Sequence, residues 1–452
     1  MARKRRDDGT GRRGARWVRE NLEAVVGAVA VALLVRTFAA EPYSITTGSM
    51  APTMLGTHLE TKCPSCSAPL ASAPAYDPSR MAGQETCSTC AIVGQAGTEC
   101  VACGRLLASA RPATGRPAPG RCPSCLQPIP AGSLGEARLR SGDKILVDKV
   151  TYRLRSPRRW EVAVFRRPGH LAMNFVKRII GLPGEELEII GGDIVVDGEV
   201  ASKPASLQRS FWFPVTREGL GDWDLDPAHW RKDGGALVGD RRDGETRAPM
   251  VRMIADHLDY NALRGLDGEN IVGDIRLRAH VAVASGEALL ILERNGVEVI
   301  TALDADGSVT LHVGASTLRG SASIQVGKEI LLGCQILDAE ISVTVGEVTV
   351  LRVPVPWEPS EIRSSRAAIG VRGGTATFAR PEVSRDLHYT SPPESAMRFP
   401  YRVRSGEYVV LGDNSPSSKD SRYIGAVPAE NFVGKAVLVF WPISPWRMQR
   451  IR

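Results

Sequence analysis

A serine and a lysine far apart in the chain each lie in a context that suits nucleophilic catalysis. Ser49 follows Thr47-Gly48, and Lys177 lies in the largely apolar run 175–182. A serine hydroxyl becomes an effective nucleophile only when a neighbouring base removes its proton. No histidine lies in a comparable motif in this sequence. The candidate base is therefore a lysine amine.

The sequence around Lys177 predicts how its amine could be kept neutral. If residues 175–180 form a strand, Lys177 shares one face with Phe175 and Ile179, because alternate residues of a strand point the same way. Burial among apolar groups disfavours the ammonium form and lowers the pKa. Moving a lysine from about 10.4 to near 7 or 8 requires roughly 3 to 5 kcal/mol, which a fully buried site can supply.

Four sequence blocks occur in a fixed order after one N-terminal apolar segment. They are residues 48–53, 142–149, 176–185 and 412–422. In these blocks the chain resembles the type I signal peptidases, a family of Ser/Lys-dyad serine endopeptidases. The resemblance implies that Ser49 is the nucleophile and Lys177 the general base. It also implies that the backbone N–H of Ser49 and the hydroxyl of Thr47, where many members have serine, bind the oxyanion.

The last block carries the supporting residues that the resemblance implies. Ser418 matches a serine that hydrogen-bonds the catalytic lysine, and Asp420 and Arg422 match an ion pair that braces the loop. One departure is Ser415-Pro416 after Gly412-Asp413-Asn414, where the common pattern has an arginine. This departure puts one supporting contact in doubt without altering the dyad.

The substrate implied by the resemblance is a secretory preprotein, cleaved after a small residue that has another small residue two positions before it. Shallow apolar pockets near Ser49 would select alanine at both places, because larger side chains would overpack them. Our candidate pocket walls are Tyr43, Ile45, Met50 and Phe175.

The N-terminus combines a basic tail, residues 1–21, with an apolar segment, residues 22–40. This order is typical of a chain whose N-terminus stays in the cytoplasm. A cleaved secretory signal ending near Ala39-Ala40 fits these residues about equally well. The position of Ser49 shortly after the segment favours a retained transmembrane helix in the cytoplasmic membrane. A basic tail also suits nucleic acid, but beside an apolar helix it is more simply an orientation signal and an anionic-lipid contact.

The catalytic domain is expected to be mainly β and discontinuous. Its predicted pieces are residues 41–57, 141–204 and 396–452. Within them, runs at 144–147, 161–165 and 174–180 and a hairpin through Gly191-Gly192 read as strands. The net charge of +7 comes largely from the basic tail, and 452 residues leave room for about three domains.

The longer insertion, residues 205–395, predicts a β-sandwich. Apolar and polar residues alternate over 274–283, and similar runs follow at 288–292, 297–303, 308–313, 336–345, 348–353 and 367–378. The pattern resembles the concanavalin-type jelly roll, although periodicity does not separate it from other sandwiches. A spacer or packing role is preferred to sugar binding, because no carbohydrate-reading cluster stands out. Cys334 is expected to be a buried apolar residue.

The shorter insertion, residues 58–140, contains four CxxC pairs whose spacing suits two zinc ribbons. Disulfides are the alternative, because cysteines beyond the helix should face an oxidising compartment. Either role is structural, since a small segment with little apolar content needs cross-links. The candidate zinc ligands are Cys63, Cys66, Cys87, Cys90, Cys100, Cys103, Cys122 and Cys125.

Two other functions remain open at this level. A self-cleaving Ser/Lys repressor shares the dyad chemistry but would lack the membrane helix. An inactive surface adaptor would use the sandwich and cysteine module to bind a partner. The sequence predicts no catalytic cofactor and no nucleic-acid partner, and it does not indicate an oligomeric state.

Overall fold

The computed structural model describes residues 9–62, 64–65, 67, 69–72, 84–86, 93–95, 138–208, 211–215, 223–251, 253–256, 270–392, 395–442 and 449–451. Over these ranges the chain is mainly β, with one long N-terminal helix. The eight cysteines of the CxxC pairs, from Cys63 to Cys125, lie outside the described residues. The prediction of two zinc ribbons there stays a prediction.

The N-terminal helix α1, Gly9–Leu34, continues through a π-helical turn at Val35–Ala39. Residues Asn21–Ala39 have a mean hydropathy of 2.0 and are not buried against the protein. Nineteen residues extend about 28 Å along a helix, close to the thickness of a bilayer's hydrocarbon core. By length and composition this helix can cross a membrane.

An eight-stranded antiparallel sheet brings together strands from all three predicted pieces of the catalytic domain. Its strand order is β1-β7-β27-β8-β9-β25-β26, with β28 paired to β27. The strands are β1 Ala40–Ser44, β7 Lys144–Asp148, β8 Val162–Arg167, β9 His170–Gly181, β25 Glu407–Leu411, β26 Val427–Pro428, β27 Phe432–Trp441 and β28 Gln449–Arg450. The strands predicted at 144–147, 161–165 and 174–180 are confirmed.

Smaller elements surround this sheet. A four-stranded sheet contains the predicted glycine hairpin and has the order β12-β11-β10-β24. Its strands are β10 Glu186–Ile190, β11 Asp193–Val196, β12 Glu199–Val200 and β24 Tyr401–Arg402. Short strands in the cysteine-rich region are β2 His58–Lys62, β3 Pro69–Ser72, β4 Gln84–Thr86, β5 Val93–Gln95 and β6 Arg138–Arg140. Single-turn helices are α2 Thr151–Leu154, α3 Ala205–Gln208 and α4 Ser421–Ile424, with 3₁₀ turns at Gly48–Met50, Ser415–Ser417 and Ala429–Asn431.

The strands between Phe213 and Arg385 form one eleven-stranded antiparallel sheet. They are β13 Phe213–Pro214, β14 Trp230–Asp233, β15 Ala236–Pro249, β16 Ile275–Arg294, β17 Val297–Asp304, β18 Ser308–Val313, β19 Ser316–Ser321, β20 Ile330–Leu337, β21 Glu340–Val345, β22 Val348–Pro354 and β23 Ser365–Arg385. β16 pairs with β20 through its first half and with β17 through its second, while β23 follows it along its length.

A bulge in the middle of β16 explains how both halves of this long strand pack in one apolar core. The register with β23 shifts between Val283 and Glu287, and Gly286 there has a φ of +65°. An inserted residue reverses which side chains face inward. Odd-numbered residues such as Leu277 before the bulge and even-numbered ones such as Leu290 after it therefore pack in the same apolar cluster. Cys334 lies in this cluster and is 1% exposed, as expected.

The observed strands differ from the predicted runs at several places. The runs at 274–283 and 288–292 belong to the single strand β16, and β13, β14 and β19 had no predicted run. The run at 336–345 is two strands, because Asp338 adopts a φ of +53° and turns the chain between β20 and β21. β15 has no counterpart in the prediction, since its centre is rich in charge and glycine and contains a register shift between Arg241 and Glu245. A jelly-roll connectivity for this region and the limits 205–395 stay predictions.

Buried charged groups join the eleven-stranded sheet to the rest of the chain. Lys203, which follows the glycine hairpin, pairs with Asp338 and Asp386, the latter at 2.6 Å. Arg294 of β16 lies 3.1 Å from Asp274 and 3.4 Å from Asp193 of β11. All six side chains are under 10% exposed. Such pairs are costly to break, because removal of one partner leaves a charge buried without compensation.

Candidate active site

Ser49 lies in the 3₁₀ turn Gly48–Met50, and the chain on both sides of this turn is fixed by one buried aspartate. The backbone N–H of Ile45 donates to the backbone oxygen of Asp143 at 2.8 Å. The Asp143 carboxylate accepts from the N–H of Leu55, also at 2.8 Å, and the Asp143 N–H donates back to the Leu55 carbonyl. The loop that carries Ser49 is thus closed at its base.

Two glycines allow the chain to pass this closely. A Cβ on Gly56 would lie 2.3 Å from the carbonyl carbon of Thr47, and one on Gly142 would lie 1.9 Å from the oxygen of Ile45. Any larger residue would push the backbone just before Ser49 out of place. Gly142 belongs to one of the four ordered sequence blocks, whereas Gly56 was not predicted, because a lone glycine gives no signal.

Lys177 reaches Ser49 from strand β9. It is paired with Ala163 of β8, and the predicted alternation holds: Phe175 and Ile179 lie in one apolar cluster beside it. The Nζ of Lys177 lies 2.5 Å from the Oγ of Ser49 and 3.1 Å from the carbonyl oxygen of Val176. The two residues are 128 positions apart in sequence. Hydrogen-bond distance between nucleophile and base is the geometry that proton transfer requires.

The surroundings of Lys177 favour its neutral form. The side chain is 3% exposed, and its Nζ lies 5.9 Å from the centre of the Phe175 ring. Burial lowers the pKa of Lys177 to about 8, against the opposing effect of the Asp420 and Asp413 carboxylates. With this pKa, roughly a tenth of the amine is unprotonated at pH 7 and about half at pH 8.

The block 412–414 holds the Ser49 turn from the other side. The backbone N–H of Asn414 donates to the carbonyl of Ser49 at 3.1 Å, and its side-chain amide donates to the carbonyl of Gly48 at 3.0 Å. A Cβ on Gly412 would lie 2.4 Å from the Ser49 carbonyl oxygen. The contact requires glycine at this position.

A buried ion pair fixes this block to strand β9. Arg178 donates from Nε and Nη2 to the two carboxylate oxygens of Asp413, at 2.8 and 2.6 Å. Arg178 also donates to the Trp160 carbonyl, and Thr53 donates to Asp413 at 2.5 Å. Two adjacent residues of β9 therefore contribute to the site: Lys177 contacts Ser49 through its amine, and Arg178 holds the 412–414 block through Asp413.

Asp420 and Arg422 form the ion pair that the resemblance implies. Two bonds of 2.8 Å join the guanidinium to the carboxylate, and both side chains are fully buried. Asp420 also accepts the N–H of Gly412 at 2.9 Å and caps helix α4. The pair thus links the end of the loop back to its beginning.

Ser418 differs from its expected role. Its hydroxyl is buried and has no hydrogen-bond partner among the described residues, so the expected bond to Lys177 is not formed. The hydroxyl instead packs at Gly412, where a Cβ would come within 2.1 Å of it. The hydrogen bonds of Lys177 go to Ser49 and to its own strand.

The other predicted site residues differ in their burial and in their distance from Ser49. The Oγ1 of Thr47 lies 3.4 Å from the Oγ of Ser49, on the same turn. Ile45 and Met50 are almost completely buried in an apolar cluster, against which Tyr43 and Val176 are only partly buried. Tyr43 lines a groove of about 620 Å³ whose other walls include Lys149, Tyr152, Arg166 and Phe432. Neither Ser49 nor Lys177 lines that groove.

Three carboxylates near the junction of the two sheets could be mistaken for a metal site. Oxygens of Asp193, Asp274 and Asp338 lie within 4.8 Å of one another. Lys203 and Arg294 already provide positive charge to these groups. The arrangement is better explained as a buried ion-pair cluster than as a cation site.

Comparison with known proteins finds similarity to signal peptidases. The sequence profile of the signal peptidases, peptidase S26, matches residues 127–213 and 343–441. A probable signal peptidase I-2 of Synechocystis sp. is 42% identical over 77 residues, which are 16% of this chain and 35% of that protein. Signal peptidase I of Pseudomonas fluorescens is 33% identical over 179 residues, 32% of this chain and 61% of that protein.

Over these residues the chain is similar to the S26 signal peptidases. The profile match includes Lys177 and the 412–422 loop, whereas Ser49 lies outside the matched residues. Signal peptidase I of Streptococcus pneumoniae is 31% identical over 88 residues and matched over 43% of its length. The chain thus spans less than half of each of these first relatives, apart from the Pseudomonas protein.

A solved structure of a carbohydrate-binding module from Bacillus subtilis aligns with 38% of this chain and 92% of its own. Its sequence identity is 15% and its TM-score 0.26. A score this low establishes neither a shared fold nor a shared ligand.

We expect Lys177→Met to stabilise the protein at neutral pH. Unfolding returns the lysine pKa from about 8 to its ordinary 10.5, so the unfolded chain binds the proton more tightly. The burial penalty is complete below pH 8 and disappears as the pH rises toward 10.5. It amounts to about 3 kcal/mol. Urea unfolding of detergent-solubilised protein at pH 7 and pH 10 measures it.

The exposed Lys144 provides the matched control, because Lys144→Met removes the same charge without a burial penalty. A Lys177→Met protein that is less stable than the parent at pH 7, or whose difference from the parent does not shrink at pH 10, contradicts the buried-amine interpretation.

Proposed function

We propose that this protein is a membrane-bound serine endopeptidase that removes N-terminal signal peptides from exported preproteins. The observation that carries the proposal is the 2.5 Å approach of the buried Lys177 amine to the Ser49 hydroxyl. Similarity to the S26 signal peptidases supports it, since the relatives that the chain matches are signal peptidases by name.

The chemistry begins with proton transfer between the two side chains. Neutral Lys177 accepts the proton of the Ser49 hydroxyl as its oxygen attacks the scissile carbonyl carbon. The carbonyl oxygen becomes an oxyanion, for which the N–H of Ser49 and the hydroxyl of Thr47 are the proposed donors. The Lys177 ammonium then protonates the leaving amine as the C–N bond breaks, which leaves an acyl group on Ser49.

Deacylation repeats the sequence with water. Lys177, neutral again, accepts a proton from a water molecule whose oxygen attacks the ester carbonyl. Collapse of the second intermediate breaks the bond to Ser49, and the ammonium returns its proton to the serine oxygen. The two ion pairs at Asp413 and Asp420 hold the attacking hydroxyl in one place through both steps.

Substrate selection in this proposal favours small residues on either side of one intervening position, as in Ala-x-Ala. Ile45 and Met50, beside and within the Ser49 turn, are almost completely buried in one apolar cluster. A large side chain there would have to displace packed groups, which typically requires 1 to 3 kcal/mol. Tyr43 and Phe175 complete the proposed apolar walls.

Membrane attachment is proposed through helix Asn21–Ala39, with the N-terminus in the cytoplasm and the catalytic domain outside. Its apolar side chains are exposed, for example Val26 at 59% and Leu34 at 58%, and an apolar surrounding would satisfy them. The end of the helix is also bonded to the folded domain: Lys149 donates its N–H to the Ala39 carbonyl at 2.9 Å. These contacts favour a retained anchor over a signal that is cleaved near Ala40.

The first test uses the full-length detergent-solubilised protein and a preprotein with an Ala-x-Ala cleavage site. Ser49→Ala and Lys177→Ala should each lower kcat at least 10³-fold, because each removes one half of the nucleophile and base pair. Lys144→Ala serves as the control and should cleave normally. Cleavage at the parental rate by both site variants would refute the dyad.

The dependence of cleavage on pH provides a second test. Only the neutral amine is active, so kcat/KM should rise tenfold per pH unit below about 8 and level off above it. Initial rates between pH 6 and 10, with protein integrity checked at each value, measure this profile. A rate that is constant from pH 6 to 9 would exclude an amine with this pKa as the base.

For the cysteine-rich segment 58–140 we propose structural zinc bound by the four CxxC pairs. Thiolates in C-x₂-C pairs at this spacing favour tetrahedral zinc. Metal analysis of native protein should find about two zinc ions per chain, and free-thiol titration after chelation should reveal eight additional reactive cysteines. An absence of zinc together with an absence of free thiols among the eight would establish disulfides instead.

A further inference from the structure

The chain leaves the eleven-stranded sheet through a short segment, residues 386–392, that runs directly into the candidate active site. The N–H of Asp386 donates to the Asp274 carbonyl at 2.9 Å, which keeps the start of the segment on the sheet. Three residues later, the N–H of Tyr389 donates to the carbonyl of Gly192 in the glycine hairpin at 3.1 Å. Tyr389 is 2% exposed and packs in one cluster with Trp160.

Thr390, the next residue, contacts the 412–422 loop with its backbone and its side chain. Its carbonyl accepts from Nη1 of Arg422 at 2.7 Å, and its Oγ1 accepts from the same nitrogen at 3.1 Å. Its N–H donates to the Oγ of Ser415 at 2.8 Å, and the two hydroxyl oxygens lie 3.2 Å apart. Arg422 in turn donates to the Oγ and the carbonyl of Ser415.

The network of Thr390, Ser415 and Arg422 is connected to the Ser49 turn by two routes. Ser415 directly follows Asn414, whose backbone and side chain both bond to the turn. Arg422 pairs with Asp420, which accepts the N–H of Gly412, and Gly412 packs against the Ser49 carbonyl. A shift of Thr390 would therefore reach Ser49 through Asn414 and through Gly412.

The opposite end of the segment is equally fixed. Lys203 pairs with Asp386 at 2.6 Å and with Asp338, so a lysine of the catalytic part holds the segment where it leaves the sheet. Polar contacts thus anchor both ends of residues 386–390, buried at Asp386 and partly buried at Thr390. A fixed segment transmits position better than a free loop.

We infer that Thr390 is a positioning residue for Ser49, and that the insertion 205–395 contributes to the active site through it. The inference rests on the proposed function of Ser49. It also accounts for the departure at Ser415, where the family pattern has an arginine. The Ser415 hydroxyl accepts hydrogen bonds from the Thr390 N–H and from the Arg422 guanidinium. The insertion then cannot be a passive spacer.

The test compares Thr390→Val, which removes the hydroxyl at nearly constant shape, with Thr390→Ser, which restores it. Loss of a hydrogen bond to the Arg422 guanidinium should lower kcat about tenfold. KM should stay within about twofold, because substrate contacts are not altered. Thr390→Ser should recover most of the activity. Thr349→Val, an exposed threonine of β22, is the matched control and should behave like the parent.

A second measurement does not depend on cleavage. Amide hydrogen exchange of the full-length protein should be faster in Thr390→Val over residues 47–54 and 412–422, and unchanged in Thr349→Val. Unchanged exchange and kcat in Thr390→Val would overturn the inference, as would faster exchange with unchanged kcat. Equal losses in the Val and Ser variants would also overturn it, since the hydroxyl would then not be responsible.

The outcome is separable from that of the proposed function. If Ser49→Ala cleaves like the parent, the dyad is wrong whatever Thr390 does. If Ser49→Ala is inactive but Thr390→Val is fully active, only the positioning role is wrong.

Discussion

The removal of one lysine amine from water is the constraint on which the site depends. An ammonium ion in bulk solvent would keep its proton at neutral pH and could not act as a base. Burial of Lys177 against Phe175 brings its pKa to about 8. The free energy that burial of the amine costs must be offset by other contacts. The apolar clusters on both faces of strand β9 provide that compensation.

The Ser49 turn must also be fixed in position, because the Lys177 amine is buried on strand β9. The Ser49 turn receives hydrogen bonds from Asn414, is closed at its base by Asp143, and lies against Gly412. These groups depend in turn on two carboxylates whose guanidinium partners are completely enclosed. Enclosed ion pairs contribute little net stability, but loss of one partner would leave a buried charge without compensation, so both pairs restrain the loop that contacts Ser49.

The sequence was sufficient for the parts of this site that follow local rules. Strand alternation placed Phe175, Lys177 and Ile179 on one face, and the ordered blocks placed Ser49 near the lysine. Contacts that depend on tertiary structure were not accessible: Ser418 lies near Gly412 without bonding the lysine, and Thr390 enters from a distant insertion. The division of 336–345 into two strands required a left-handed Asp338, which no periodicity signals. β15 was missed because its charged, glycine-rich centre hides its strand character.

The strand pairing of the eight-stranded sheet also determines when the site can form during synthesis. Ile179 of β9 pairs with Val410 of β25, and Val147 of β7 pairs with Ala436 of β27. Contacts between such distant positions form slowly, and only after strands β25 and β27 have been synthesised. A growing chain already carries Ser49 and Lys177 long before that moment, yet it lacks the strands and the loop that bring them together. The geometry that joins Ser49 to Lys177 therefore depends on strand pairs that form only after residues 407–441 have been made.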